Sequence, residues 1–336
     1  MLEIKKNIKT LVGDITIITV KRGLLDVQLL NYGAAIYKID FDGKPMTFQP
    51  DALHDFLTAE FYYGKTIGRT AGRLIAPHYQ IDDKQFDVKP FRGKETKLHG
   101  GAKGFSNRFF DFVNAIESDN HTEVLFQLMS PDGDEDYPGA MKLTVTYRID
   151  DQGAIKIIYD AISDEDTLCN ITNHTYFNLD GRDLVDDHYI AIDASNYIAV
   201  TEDIIPIGKK SVLNTPFDLR KITQLKKPLN QLATTPIGGF DHAWLFDKSL
   251  GEVTVQNASK TYQLNVQTSY PSVVIFSSNI PSPDIPNHYY NKGIRKSFTL
   301  ECQYEPSGIH YKGFNDAILR KNQPYHHFIT YQFQKI

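Results

Sequence analysis

Residues 142–149 read Lys-Leu-Thr-Val-Thr-Tyr-Arg-Ile, with every second residue apolar and its neighbours polar. Side chains on an extended backbone point to opposite faces in turn, so this alternation marks a strand with one face in a core. A turn-forming DDQG follows at 150–153, then a second strand-like run at 154–159, and together they predict a β-hairpin. Comparable runs recur at 14–20, 25–31, 123–128, 261–267, 273–277, 297–303 and 327–333, separated by Gly, Pro, Asn and Asp. Many short strands at such spacing predict an all-β fold, a large antiparallel β-sandwich. Helical periodicity is weak, and Leu53, Phe56 and Leu57 support one or two turns only. With no repeat, low-complexity tract or linker, residues 1–336 are expected to form one domain. The Pro-rich IPSPDIP at 280–286 has strand-like sequence on both sides and is expected to be a structured loop.

Composition fits this picture. The chain is 41% hydrophobic with 20 Phe and 19 Tyr, which supplies a core and favours strands over helices. A net charge of -5, from 41 acidic and 36 basic residues, leaves no basic stripe, so nucleic acid is not an expected partner. The pairs Lys209-Lys210 and Lys226-Lys227 read as solvated loop or strand-edge charges. The N-terminal MLEIKKNIKTLVGD has no long apolar core, and nowhere do about 18 apolar residues run together, so neither export nor a membrane anchor is expected. Cys169 and Cys302 sit in separate strand-like runs and read as reduced core thiols of a cytoplasmic protein. The sequon at Asn170 then carries no meaning, because glycosylation requires the secretory route.

Four segments concentrate hydrogen-bonding residues in apolar or glycine-rich surroundings. IGRTAGRL at 67–74 carries Arg69 and Arg73, whose planar donor forks suit sugar hydroxyls or carboxylates as well as a structural ion pair. LHGG at 98–101 sets His99 before two glycines, which allow a close backbone approach to a ligand or simply a turn. NHTYFNL at 173–179 is dense in polar side chains where a core strand would alternate. His174 within it has the near-neutral pKa suited to giving and recovering a proton, and a buried polar network is the competing reading. In FTLECQ at 298–303, parity places Phe298, Leu300 and Cys302 on one face and Thr299, Glu301 and Gln303 on the other. Glu301 therefore projects from a polar face, as a cleft base or a solvated residue would. GGFDH at 238–242 adds Asp241 after a flexible approach. Among the 11 His there is no H-x-H or H-E-x-x-H, two cysteines cannot form a Cys-rich zinc site, and His326 and His327 point to opposite faces of a strand. No catalytic metal is expected, although dispersed histidines could still converge in the fold.

In order along the chain, NYGAAI at 31–36, IGRTAGRL, KLHGG at 97–101, SPDGDEDYPG at 130–139, NHTYFNL, TPFDLR at 215–220, GGFDH and FTLECQ resemble the aldose 1-epimerase (galactose mutarotase) family nearly end to end. The resemblance implies a large antiparallel β-sandwich, the galactose mutarotase-like supersandwich, with a sugar cleft across one sheet. It places the base on Glu301 and the acid on His174, and assigns substrate binding to Arg73, His99 and Asp241. Arg69 shares a motif with Arg73 but is expected to take no direct part. Two positions depart from the pattern: Gly72, where many relatives have Asn, and Tyr270, where relatives often carry a sugar-contacting Gln. Both bear on sugar preference.

The implied reaction opens and recloses a hemiacetal, which needs one proton donor and one acceptor and no cofactor. The expected partner is a free aldose, and the chain is expected to be a monomer or homodimer. A glycosidase using Asp241 with Glu301, a non-catalytic sugar-binding protein and a hexose-6-phosphate epimerase are the alternative readings.

Overall fold

A computed structural model describes residues 1–181, 184–281 and 294–336. Residues 282–286 of the Pro-rich stretch lie outside them. Among the described residues the alternating runs form antiparallel sheets, as the pattern predicts. The hairpin is built from Met141–Asp150 and Ala154–Ser163, in a register that sets Ile149 opposite Ile155 and Val145 opposite Tyr159. Along Met141–Asp150, Met141, Leu143, Val145, Tyr147 and Ile149 are buried, while Lys142 and Arg148 are exposed.

The C-terminal strand Tyr325–Lys335 inserts between Ala154–Ser163 and Tyr262–Thr268 and pairs with both. It thereby welds the two halves of the chain into a nine-stranded sheet. Two five-stranded sheets complete the frame. One holds the N-terminal strands from Leu2–Thr10 to Lys44–Pro45, and the other runs Pro206–Ser211, Asn196–Val200, Asp241–Leu245, Ser272–Phe276, Glu301–Gln303. A continuous apolar core contains residues of all three, including Ile18, Val145, Ile157, Trp244 and Val273. No helix of the described residues is long and apolar enough to cross a membrane.

Three expectations need adjustment. The run 297–303 is not one strand: Phe298–Thr299 pairs with Tyr176–Phe177, and the chain then changes partner at Leu300, so that Glu301–Gln303 pairs with Ser272–Val274. All six residues from Phe298 to Gln303 are buried, so Glu301 is not on a solvated face. Lys226 and Lys227 open a helix, Lys226–Leu232, whose Leu229 and Leu232 turn inwards beside Leu225. Its spacing of apolar residues at 225, 229 and 232 is the helical signal that was missed. As expected, Leu53–Thr58 is a short helix, Lys209 and Lys210 lie on an edge strand, and both cysteines are free and buried.

Arg69 is 2% exposed and works as a clamp. Its Nη1 donates to Pro138 O at 2.8 Å and Thr167 Oγ1 at 3.2 Å, and its Nη2 to the carbonyls of Ser130, Pro131 and Gly139 at 3.0, 3.0 and 2.8 Å. Its Nε donates to Ser130 Oγ at 3.0 Å. The SPDGDEDYPG segment is thus wrapped around one guanidinium. Arg69→Met would strand those buried carbonyls, each at a cost of about 1–3 kcal/mol. It is expected to lower unfolding free energy by more than about 3 kcal/mol, read as a shift in the urea midpoint.

Candidate active site

Strand parity builds the floor of the cleft. In the sheet containing Asp241–Leu245, one set of alternate residues, Tyr197, Trp244, Val273, Ile275 and Cys302, enters the core. The other set, Ile198, Asp241, Ala243, Val274, Phe276 and Glu301, faces a cavity of about 400 Å³. Register aligns Ile198 with Ala243, Ala243 with Val274 and Val274 with Glu301. Glu301 therefore ends an apolar row, and Asp241 stands one residue pair away, opposite Phe276.

All five residues expected at the site, Arg73, His99, His174, Asp241 and Glu301, line this cavity. His174 Nε2 lies 3.3 Å from Glu301 Oε1. Thr299 Oγ1 accepts from Phe276 N–H at 3.2 Å, which turns its own hydrogen towards Glu301 Oε1, 2.9 Å away. Burial removes water from both members of the pair and pushes each towards its neutral form. Glu301 rises to about 8, helped by the negative charge of Asp241 and opposed by the Thr299 hydrogen bond. His174 falls to about 3. Asp241 is half-buried and lines the cavity, and burial raises it to about 6 against the pull of Arg73.

The surrounding segments explain why His174 stays in place. Asn173 Nδ2 donates to Gly64 O, Thr172 Oγ1 to Cys302 O and Asn178 Nδ2 to Lys296 O, at 2.9, 2.7 and 2.7 Å. Within NHTYFNL the two asparagines thus satisfy buried backbone, and His174 and Tyr176 are the members that reach the cavity. The His174 ring packs 5.0 Å from Tyr176 and 5.5 Å from Tyr62, and Tyr62 stands edge-on to His99 at 4.6 Å. His99 follows the strand Thr96–Leu98, in which Leu98 pairs with Arg73. Lys97, 2% exposed, ties this loop to Asp136 at 2.9 Å.

The glycines after His99 do not open space for a ligand. A Cβ at Gly100 would sit 2.0 Å from the carbonyl oxygen of Gly68, so the close approach is to the protein's own backbone. Tyr270 does not line the cavity either. It is fully buried, stacks on His327 at 4.1 Å and shares a 2.6 Å hydroxyl contact with Tyr325. Tyr62, Arg92 and Glu202 line the cleft and were missed, because nothing in their spacing separates them from ordinary loop residues.

Ligand atoms of His99, His174 and Glu301 lie within 4.8 Å of one another, so two histidines do converge with a carboxylate. The hydrogen bonding favours a different use. His99 Nδ1 accepts from Gly72 N–H at 3.2 Å, and the burial that lowers its pKa keeps the ring neutral, which leaves its hydrogen on Nε2. A metal-bound histidine presents a lone pair to the ion and donates its other N–H outwards. His99 has the opposite polarity and is arranged to donate to an oxygen in the cleft.

The fold and cleft define a class: an all-β enzyme whose sheet-borne carboxylate meets an imidazole in a cavity lined by hydrogen-bonding and aromatic groups. The profile of the family described as aldose 1-epimerase matches residues 16–332. Galactose mutarotase of Rattus norvegicus is 32% identical over 323 residues, covering 92% of this chain and 91% of the rat protein. Aldose 1-epimerase of Escherichia coli is 34% identical over 81% of this chain and 80% of its own length. The crystal structure of galactose 1-epimerase from Lactobacillus acidophilus superposes with a TM-score of 0.89 at 26% identity, covering 100% of this chain and 99% of that one. The chain belongs to the aldose 1-epimerase family and is an isomerase, a mutarotase of sugars.

The raised pKa of Glu301 has a consequence for stability. The carboxyl ionises near 4.5 in the unfolded chain and near 8 in the folded one, so between these values the folded state binds more protons. Its contribution to stability is therefore lost as pH rises through that window. Glu301→Gln is expected to raise the melting temperature relative to wild type at pH 8 and to leave it unchanged near pH 4, as read by thermal unfolding at both values.

Proposed function

We propose that this enzyme interconverts the α and β anomers of free hexopyranoses, galactose or glucose, by acid/base-catalysed opening and closing of the ring. The observation that carries the mechanism is the 3.3 Å contact between the buried side chains of His174, at Nε2, and Glu301, at Oε1. Between about 3 and about 8 the pair holds one transferable proton and no net charge, the proton resting on Glu301 while the cleft is empty. Bound sugar hydroxyls that donate to the Glu301 carboxylate favour its transfer to His174, against the charge of Asp241, which holds the proton on Glu301. Glu301 then takes the proton of the C1 hydroxyl as C1=O forms. The C1–O5 bond breaks, and His174 protonates O5. After rotation about C1–C2 the steps reverse on the other face: O5 returns its proton to His174, and Glu301 gives its proton to O1. Arg73, His99 and Asp241 hold the remaining hydroxyls, so the open aldehyde stays in register. The free buried thiols of Cys169 and Cys302 suit a reducing compartment, in keeping with a cytoplasmic enzyme.

The test is polarimetric. Freshly dissolved crystalline α-galactose and α-glucose are followed at low temperature with and without protein, and acceleration of neither sugar would sink the reading. Glu301→Gln and His174→Asn should each reduce kcat by about 10²–10⁴-fold, the usual worth of a general base or acid.

The pH profile of kcat/KM, corrected for spontaneous mutarotation, should have two limbs. It falls above about 8, where Glu301 loses the pair's only transferable proton, and below about 6, where Asp241 becomes protonated and weakens as an acceptor. Asp241→Asn should remove the acid limb. It should also move the basic limb to lower pH, because the Asp241 charge is one of the causes that raise Glu301.

A further inference from the structure

Asp241 is the first residue of the strand Asp241–Leu245, and its pairing with Phe276, the last residue of Ser272–Phe276, is the outermost of that ladder. A strand end is where a ladder frays, so the placing of this carboxylate depends on what holds the backbone just outside the pair. Ser277 N–H donates to Phe240 O at 3.0 Å, and Phe240 N–H donates to Ser277 Oγ at 2.9 Å. The Ser277 hydroxyl donates in turn to Asn279 Oδ1, and Asn279 Nδ2 donates to Phe240 O at 2.8 Å. Both polar backbone groups of Phe240 are thus closed into one ring of hydrogen bonds by Ser277 and Asn279. One residue on, Asp241 N–H donates to His242 Nδ1 at 3.1 Å, and the His242 ring packs 4.5 Å from Phe217 of the TPFDLR segment.

The same ring accounts for a glycine of GGFDH. A Cβ at Gly239 would lie 2.3 Å from Asn279 Oδ1 and 2.7 Å from Ser277 Oγ, closer than side chains approach one another. Glycine is required here so that two of the protein's own side chains can reach the backbone. We propose that Ser277 and Asn279 are positioning residues for the reaction, a latch that fixes the Asp241 carboxylate against the bound sugar. This rests on the mutarotase reading above.

Asn279 also lines the catalytic cavity, so a direct contact with the sugar is the rival role. Its amide oxygen and amide nitrogen are both committed to the ring, which favours action through Asp241. The leverage is large, because a displacement of about 1 Å in a group that holds substrate can cost about 10²-fold in rate. Arg73, Tyr176 and Glu301 are the titratable and charged groups that act on Asp241 or are acted on by it across the cleft, and His242 adjoins it on its own strand. Released from the latch, Asp241 gains water, and its pKa falls from about 6 towards its ordinary value of 3.8.

The experiment is a double-mutant cycle on the mutarotation of galactose and glucose, with Asn279→Ala, Asp241→Asn and the two combined. Asn279→Ala is expected to lower kcat/KM by about 10- to 100-fold. It should also move the acid limb of the pH profile from about 6 to lower pH. In the Asp241→Asn background the same substitution should change kcat/KM by less than about twofold, because its effect passes through Asp241. An equal loss in both backgrounds would assign Asn279 to the sugar itself and overturn the latch. Unchanged kcat/KM, or an acid limb left in place, would overturn it too. If Asn279→Ala does not fold, Ser277→Ala removes the other half of the ring and is carried through the same cycle with the same expected outcomes. Inactivity of wild type on every sugar would instead strike at the mutarotase reading. In that event the titration of Asp241, followed by carbon-13 NMR in wild type and Asn279→Ala, still decides the latch: a midpoint moved to lower pH supports it, and an unmoved one overturns it.

Discussion

The cleft depends on the dryness of Glu301. A carboxyl on an exposed strand would ionise near its ordinary value of 4.5 and would be a weak base at neutral pH. Here it is buried at the end of the apolar row Ile198, Ala243, Val274, and its pKa rises into the range where a proton can be both taken and returned. The same desolvation acts on His174 with opposite sign. The two groups share one proton because neither can afford a charge alone. A reaction that passes a proton off one oxygen and onto another, and then reverses, calls for such a pair.

Holding a buried carboxyl against a buried imidazole costs stability, and the frame around them is built to withstand it. Thr172–Asn173 pairs with Thr66–Ile67, and the chain runs on past His174 to Tyr176–Phe177, which pairs with the strand just before Glu301. His174 and Glu301 are thus held by the strand pairings that flank them. Nearby backbone groups that burial would leave unpaired are met by Asn173, Thr172 and Asn178. Loops supply the other contacts, and they too are tethered, Arg69 gripping 130–139 while Lys97 in the His99 loop grips Asp136.

Much of this was legible from period-two patterning, because a half-buried strand writes its two faces into alternate residues. The hairpin at Met141–Asp150 and Ala154–Ser163 was readable to within a few residues for that reason. The same rule misled at Glu301. Its polar parity was visible, but parity cannot tell a solvated face from a cavity, and it is blind to the change of partner at Leu300. His174 stood out by the polarity of its neighbours, yet the two asparagines among them serve the backbone. Tyr62 and Arg92 could not be found at all, since they reach the cleft from segments far along the chain. Their positions depend on tertiary packing that leaves no local period.

Arg69 and Arg73 show why a shared motif does not share a function. Four residues apart, both offer the same fork. The intervening Gly72 has a φ of +70°, which turns the chain out of a plain strand, and so the two side chains part. Arg69 is sealed among carbonyls, while Arg73 stands at the cavity wall with its Nη1 3.3 Å from Arg92 O. A Cβ at Gly72 would come within 3.1 Å of Gln303 Nε2 and Pro306, so the side chain that many relatives carry here would crowd that corner. Tyr270, the other departure, lies in the core and touches no part of the cleft. Of the two differences noted from sequence, Gly72 is therefore the one that lines the cavity holding Glu301 and His174, next to Arg73 on its wall.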